Sequence, residues 1–95
     1  HFAAEMIAGI HADIAFFSAQ SAGRDGVISD CFEEENVLRL CMMKNASKKV
    51  FLCDGAKFEK QSAFRLCSVR DIDCIVSNRD IRDHFDTDAL PEFLY

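Results

Sequence analysis

Tryptophan is missing from this 95-residue chain, proline occurs once and tyrosine once, and only four glycines are present. With so few chain breakers there is no Pro-, Gly- or Ser-rich tract to act as a linker, and no internal repeat, so a single unit is expected. Basic residues are also scarce. Eleven Lys and Arg stand against 16 Asp and Glu, a net charge of -5, which excludes the clustered cationic face that gives sequence-independent attraction to a polyphosphate. This stretch by itself is not expected to hold nucleic acid. No apolar run approaches the roughly 20 residues needed to cross a bilayer, and the start lacks the basic and apolar segments of a secretion signal. The expectation is a soluble, cytoplasmic protein with no membrane partner.

Paired cysteines are lacking as well. Cys31, Cys41, Cys53, Cys67 and Cys74 are odd in number and never spaced as C-x-x-C, which argues against a disulfide framework and for a reducing compartment. Most sit in apolar segments and read as small buried hydrophobes. His1, His11 and His84 have no histidine three or four residues away to complete a ligand pair, so neither metal nor other cofactor is expected.

What the chain does have is 49% hydrophobic residues, enough for one compact core. In "HFAAEMIAGIH", Phe2, Met6, Ile7 and Ile10 recur at helical spacing, predicting an amphipathic opening helix. "DIAFFSA" is a short continuous apolar run, the mark of a strand covered on both faces, and "QSAGRDG" reads as the loop after it. In "SDCFEEENVLRLCMMKNASKK", Asp30 followed by Glu33 reads as a capping box, and acidic residues crowd the first turn while lysines crowd the last. A helix is predicted here, its stripe of Val37, Leu40 and Cys41 packing on a sheet. "KKVFLCD" and "DIDCIVSN" are read as further buried strands, "NRDIRDHF" as a helical start, and the segment between the two strands as a small lobe or edge strand. "DTDALPEFLY" reads as a loose tail. Apolar strands alternating with helices predict the α/β class, with a parallel sheet clad on both faces in three αβα layers.

In such a sheet all strands present their carboxyl ends at one edge, where ligands enter. Ser18 and Gln20 follow the first strand, Asp54 ends the second, Lys57 lies three residues on, and the acidic helix start, Glu33 to Glu35, can approach. Carboxylates, an ammonium and amide donors at one edge suit a phosphorylated or hydroxyl-rich molecule. Asp followed by Gly is also ordinary turn chemistry, and a lone D-x-x-K is a weak motif.

Taken together, "HADIAFFSAQ...DGVIS", "EEENVLRLCMM", "SKKVFLCDGAKF" and "SVRDIDCIVSN" resemble the effector-sensing domain of the DeoR-type bacterial transcription regulators, over about residues 1 to 80. Glu34 falls on the family's helix-start glutamate, and Asp54, Lys57 and Phe58 fall on its Asp-x-x-Lys-Phe. Residues 54 to 57 read Asp-Gly-Ala-Lys where the family carries Asp-Ser-Ser-Lys, which removes two hydroxyl donors. The resemblance implies a fold similar to ribose-5-phosphate isomerase and the CoA-transferase-like proteins. It implies a phosphorylated sugar as effector, with Lys57 at the charged or carbonyl end and Glu34 and Asp54 on hydroxyls.

On that resemblance residues 1–95 are a partial sensing domain of a repressor-type regulator, begun after the winged helix and the first strands, with DNA as a partner only through that absent part. No catalysis is expected. A fragment of a sugar-phosphate isomerase or deaminase, with the same residues moving protons, is the alternative, and a purely structural α/β module is the third reading. An uncovered sheet edge or face predicts association, as a homodimer or larger homo-oligomer.

Overall fold

The computed structural model describes residues 2–54 and 62–95; Lys57 and Phe58 lie outside the described residues. In chain order the elements are α1 (Phe2–Ala8), β1 (Ala12–Phe17), β2 (Ser21–Ala22), β3 (Val27–Asp30), α2 (Glu33–Lys44), β4 (Ala46–Cys53), β5 (Phe64–Ser68), β6 (Cys74–Ser77) and β7 (Glu92–Leu94). Two single 3-10 turns, Val69–Asp71 and Arg82–His84, complete the described elements.

Four strands form a parallel sheet in the order β1-β4-β6-β7, with Phe17 level with Phe51 and Phe51 level with Ile75. The mixed α/β class with a parallel sheet is therefore as expected, and it is consistent with an isomerase-like αβα fold. β2, β3 and β5 make a second, antiparallel sheet. One core joins the two. Phe17, Phe51 and Ile75 meet Ile28, Leu66 and Val69 of the antiparallel side, with Met43 of α2 and Ile81 and Phe85 of the later segment. The Phe17 and Phe51 rings stack at 5.2 Å. Phe51, Ile28, Ile75 and Val69 are fully buried, each such side chain contributing about 1.5–3 kcal/mol relative to exposure.

The fold departs from the sequence expectation at five places. β1 is covered on one face only. Ala15 and Phe17 point to the core while Ile14 and Phe16 remain 45% and 56% exposed. Leu52 and Leu94, both level with Val76, share this outer face and are exposed too.

"QSAGRDG" is not simply a loop: Ser21 pairs with Ser29 and Ala22 with Ile28 in a hairpin. Its turn is closed by Gly23 N donating to Val27 O at 2.9 Å and Gly26 N to Gly23 O at 3.0 Å. Gly26 has φ +85, and a Cβ there would lie 2.8 Å from Val69 Cγ2, so both the turn and the close approach require glycine.

The capping box is absent as well. Phe32 occupies the N-cap of α2 with no side-chain cap, and Asp30, drawn into β3, is used elsewhere. On α2 the buried residues are Asn36 and Met43, so Val37 and Leu40 stay largely exposed rather than packing on a sheet. Nor is the tail loose: β7 pairs parallel with β6, Phe93 packs on the core at 6.2 Å from Phe85, and Glu92 N donates to Asp73 O at 3.2 Å. The one proline, Pro91, immediately precedes this strand, a position that costs no ladder hydrogen bond.

Candidate functional site

Parallel registry brings the strand ends to one edge. Phe17 is level with Phe51, and Cys53 with Ser77, so Ser18 to Gln20 leave β1, Asp54 leaves β4 and Asn78 leaves β6 on the same side of the sheet. Ser18, Gln20, Asp54 and Asn78 are all exposed. Glu34 sits in the first turn of α2, exposed, and lines a hollow of about 380 Å³ with Cys31, Phe32, Glu33 and Glu35. Ser18, Gln20 and Asp54 are not among the residues lining that hollow. Lys57 lies outside the described residues. Asn78 is an addition to the sequence-derived set; its position directly after a predicted strand was the available signal.

Beneath this edge lies a polar clip that reading along the chain does not reveal. Asp30 is 4% exposed. Its Oδ2 accepts from the Gln20 backbone N–H at 3.2 Å and from Arg39 Nη1 at 3.2 Å, while Oδ1 accepts from Cys31 N–H at 2.7 Å. Arg39 also reaches Asn36 Oδ1 and Glu35 Oε2, each at 3.4 Å, and Asn36 Nδ2 donates to Phe64 O at 3.3 Å. On the other side Ser62 Oγ donates to Gln20 Oε1 at 3.2 Å and lies 2.8 Å from Ser21 Oγ, while Ser62 N–H donates to Ser29 Oγ at 2.9 Å.

These bonds fasten the tip of β1, the hairpin, β5 and the first half of α2 to one another. A carboxylate this deep is stable because it accepts several charge-assisted hydrogen bonds, and removal of its cation would leave a buried charge unpaired. The sequence signals were misleading here, since Asp30 stands three residues before Glu33 and so mimics a local cap.

Thiol chemistry is set by burial. Cys67 is pushed up to about 12, first by burial and then by the nearby Asp71 carboxylate, with Arg65 acting weakly the other way. Burial, assisted by Glu92, also raises Cys74. Thiols held protonated in this way are poor nucleophiles and poor metal ligands. Shortly after β6, Asp80 is held at about 2 by its hydrogen bonds from Arg82, which approaches to 2.8 Å. No group of three or more His, Cys, Asp or Glu side chains among the described residues could hold a metal ion, and no described helix is long and apolar enough to cross a membrane. What the strand tips offer is hydrogen bonding: a carboxylate acceptor from Asp54, an amide from Gln20 and a hydroxyl from Ser18, while the Glu34 carboxylate lies on the separate hollow at the start of α2.

Comparison with known proteins agrees with the fold and with the resemblance read from the sequence. The chain is 28% identical over 79 residues to the L-fucose operon activator of Haemophilus influenzae, an alignment covering 83% of this chain and 32% of that protein. The chain thus spans about a third of the length of that relative. A family model described as the DeoR C-terminal sensor domain matches residues 1–79. The chain belongs to the DeoR C-terminal sensor domain family.

Proposed function

We propose that this chain senses a phosphorylated sugar in the cytoplasm, holding it at the tips of the parallel strands. The signal passes to a winged-helix DNA-binding part carried elsewhere in the polypeptide. Glu34 and Asp54 accept hydrogen bonds from sugar hydroxyls, Ser18 and Gln20 contribute polar contacts, and Lys57 meets the phosphate or carbonyl end. A ligand of this kind is bound and released unchanged, so the chain acts as a sensor rather than an enzyme. It works as a homo-oligomer, joined through the apolar outer face of the parallel sheet.

The observation that carries this reading is the hydrogen bonding of Gln20. Its backbone N–H and side chain are both engaged by the clip that also grips α2 through Arg39. Any ligand that prefers one arrangement of the β1 tip therefore prefers one arrangement of α2, and differential affinity for two packings is what converts binding into a response. The relative's role in an L-fucose operon supports an effector drawn from sugar metabolism.

A thermal-shift series on the full-length regulator, with phosphorylated pentoses, hexoses and 6-deoxyhexoses beside the unphosphorylated sugars, tests it. At about 100 times the dissociation constant the right ligand adds about 2.7 kcal/mol of stability. Asp54→Asn and Glu34→Gln then weaken that ligand at least tenfold. Absence of stabilisation by every sugar phosphate, or unchanged affinity in both variants, would refute the assignment, and turnover of the ligand would move the chain to the isomerase or deaminase reading.

A further inference from the structure

The antiparallel sheet carries a second concavity, unrelated to the strand tips. Its outer face joins the hairpin turn and the Asp86–Ala89 segment around a hollow of about 660 Å³, within the range of small-molecule sites. Two backbone hydrogen bonds and one close approach build the walls. Val69 N–H donates to Gly26 O at 2.8 Å, Asp86 N–H to Arg24 O at 2.7 Å, and Gly26 allows the turn to close against Val69 and Thr87.

The charges in the hollow are unequally occupied. Asp86 is paired with Arg24 at 3.5 Å, and Asp25 accepts from the Val27 N–H at 3.0 Å. Arg65 and Arg70 line the same space, and among the described residues neither has a carboxylate within ion-pair distance. The two hydroxyls are oriented by use. Ser68 Oγ accepts from Arg70 N–H and Thr87 Oγ1 from Ala89 N–H, each at 3.3 Å, which occupies acceptor lone pairs and leaves each O–H as a donor. Two guanidinium groups and two hydroxyl donors in one hollow match the oxygens of a phosphate group. Asp88 lines the same hollow and its carboxylate can accept from hydroxyls on the rest of the molecule.

We infer that this hollow is a second binding site, distinct from the strand tips, for a small phosphate ester of a polyol, with Arg65 and Arg70 on the phosphate. The site goes beyond the effector reading and does not depend on it. Arg65 also lines an adjoining hollow of about 260 Å³ that reaches Ser29 and Ser62, so an anion held there lies beside the clip around Asp30.

Titration of the isotopically labelled chain with glycerol 3-phosphate, inorganic phosphate and glycerol, followed by proton–nitrogen correlation spectra, tests the inference. Glycerol 3-phosphate is expected to give saturable shifts at the Arg65 and Arg70 Nε–H signals and at the amides of Ser68 and Thr87. Inorganic phosphate should do so more weakly and glycerol not at all. The double variant Arg65→Gln/Arg70→Gln should raise the dissociation constant at least tenfold. Lys44→Gln, which removes a distant exposed charge at the end of α2, should leave it within twofold.

Equal binding of phosphate and its ester assigns the site to free phosphate and overturns the polyol part. Non-saturating shifts, or an unchanged constant in the double variant, overturn the site itself. Shifts confined to Ser18–Gln20 and Asp54 overturn it while supporting the strand-tip assignment. If the double variant fails to give the native spectrum, Arg70→Gln alone, on an exposed 3-10 turn, carries the same prediction at threefold or more.

Discussion

The two sheets share one core yet present opposite outer surfaces. Behind Phe17, Phe51 and Ile75 the parallel sheet turns Ile14, Phe16, Leu52 and Leu94 to the outside, all exposed. Behind Ile28 and Leu66 the antiparallel sheet turns Arg65 and Ser68 to its other face, where Ser21 and Ser29, level with each other, are buried under Ser62. A polar outer face is what a sheet adopts when water or a ligand meets it, and antiparallel sheets commonly have one face of each kind. An apolar outer face on the other sheet, holding several large side chains together, is a surface that gains by being covered. The same chain therefore carries a more polar face on one sheet and a more apolar one on the other.

Removing the shared core should break the comparison most severely. Phe51→Ala deletes a fully buried ring stacked on Phe17 and should cost about 3–5 kcal/mol, seen as a lower midpoint in urea unfolding. Because the core is common to both sheets, probes on β3 and on β6 should lose structure together; separate transitions would show two independent cores.

Next in size is the clip. Asp30→Ala leaves the Arg39 guanidinium without its buried partner and should cost about 3 kcal/mol, at the lower end for a broken buried pair. The cost is limited because Arg39 is partly solvated and keeps Glu35 at 3.4 Å. A loss under about 1 kcal/mol would mean that the clip does not fasten α2 to the hairpin. The smallest effect on stability belongs to the apolar outer face. Phe16→Ser should change the unfolding free energy by no more than about 0.5 kcal/mol, yet reduce self-association of the chain in light scattering. A wild-type chain that is monomeric throughout the micromolar range would remove the case for assembly through this face.

Much of the architecture is legible along the chain. "DIAFFSA", "KKVFLCD" and "DIDCIVSN" became β1, β4 and β6, and the acidic-to-basic run became α2, because each is long enough for a period or for end charges to register. β2 and β7, of two and three residues, are too short to show one, and β3, as long as β6, is half polar. Of the sequence-derived site residues, Ser18, Gln20 and Asp54 stand at the carboxyl edge as the strand reading required, while Glu34 lies on a separate hollow with its α2 neighbours.

Composition and pattern alone determined the class, the three principal strands and which strand ends would be polar, because these depend on residues near one another in the chain. Tertiary structure decided the rest. Asp30 became the partner of Gln20 and Arg39 instead of a helix cap, and β1 kept one face open, with Ile14 and Phe16 exposed. Arg65, Ser68, Arg70 and Thr87 came to line one hollow. The bonds of Asp30 span 9 and 10 positions and Thr87 joins the hollow from 17 or more positions beyond its partners, and such a pairing leaves no periodic mark on the sequence that encodes it.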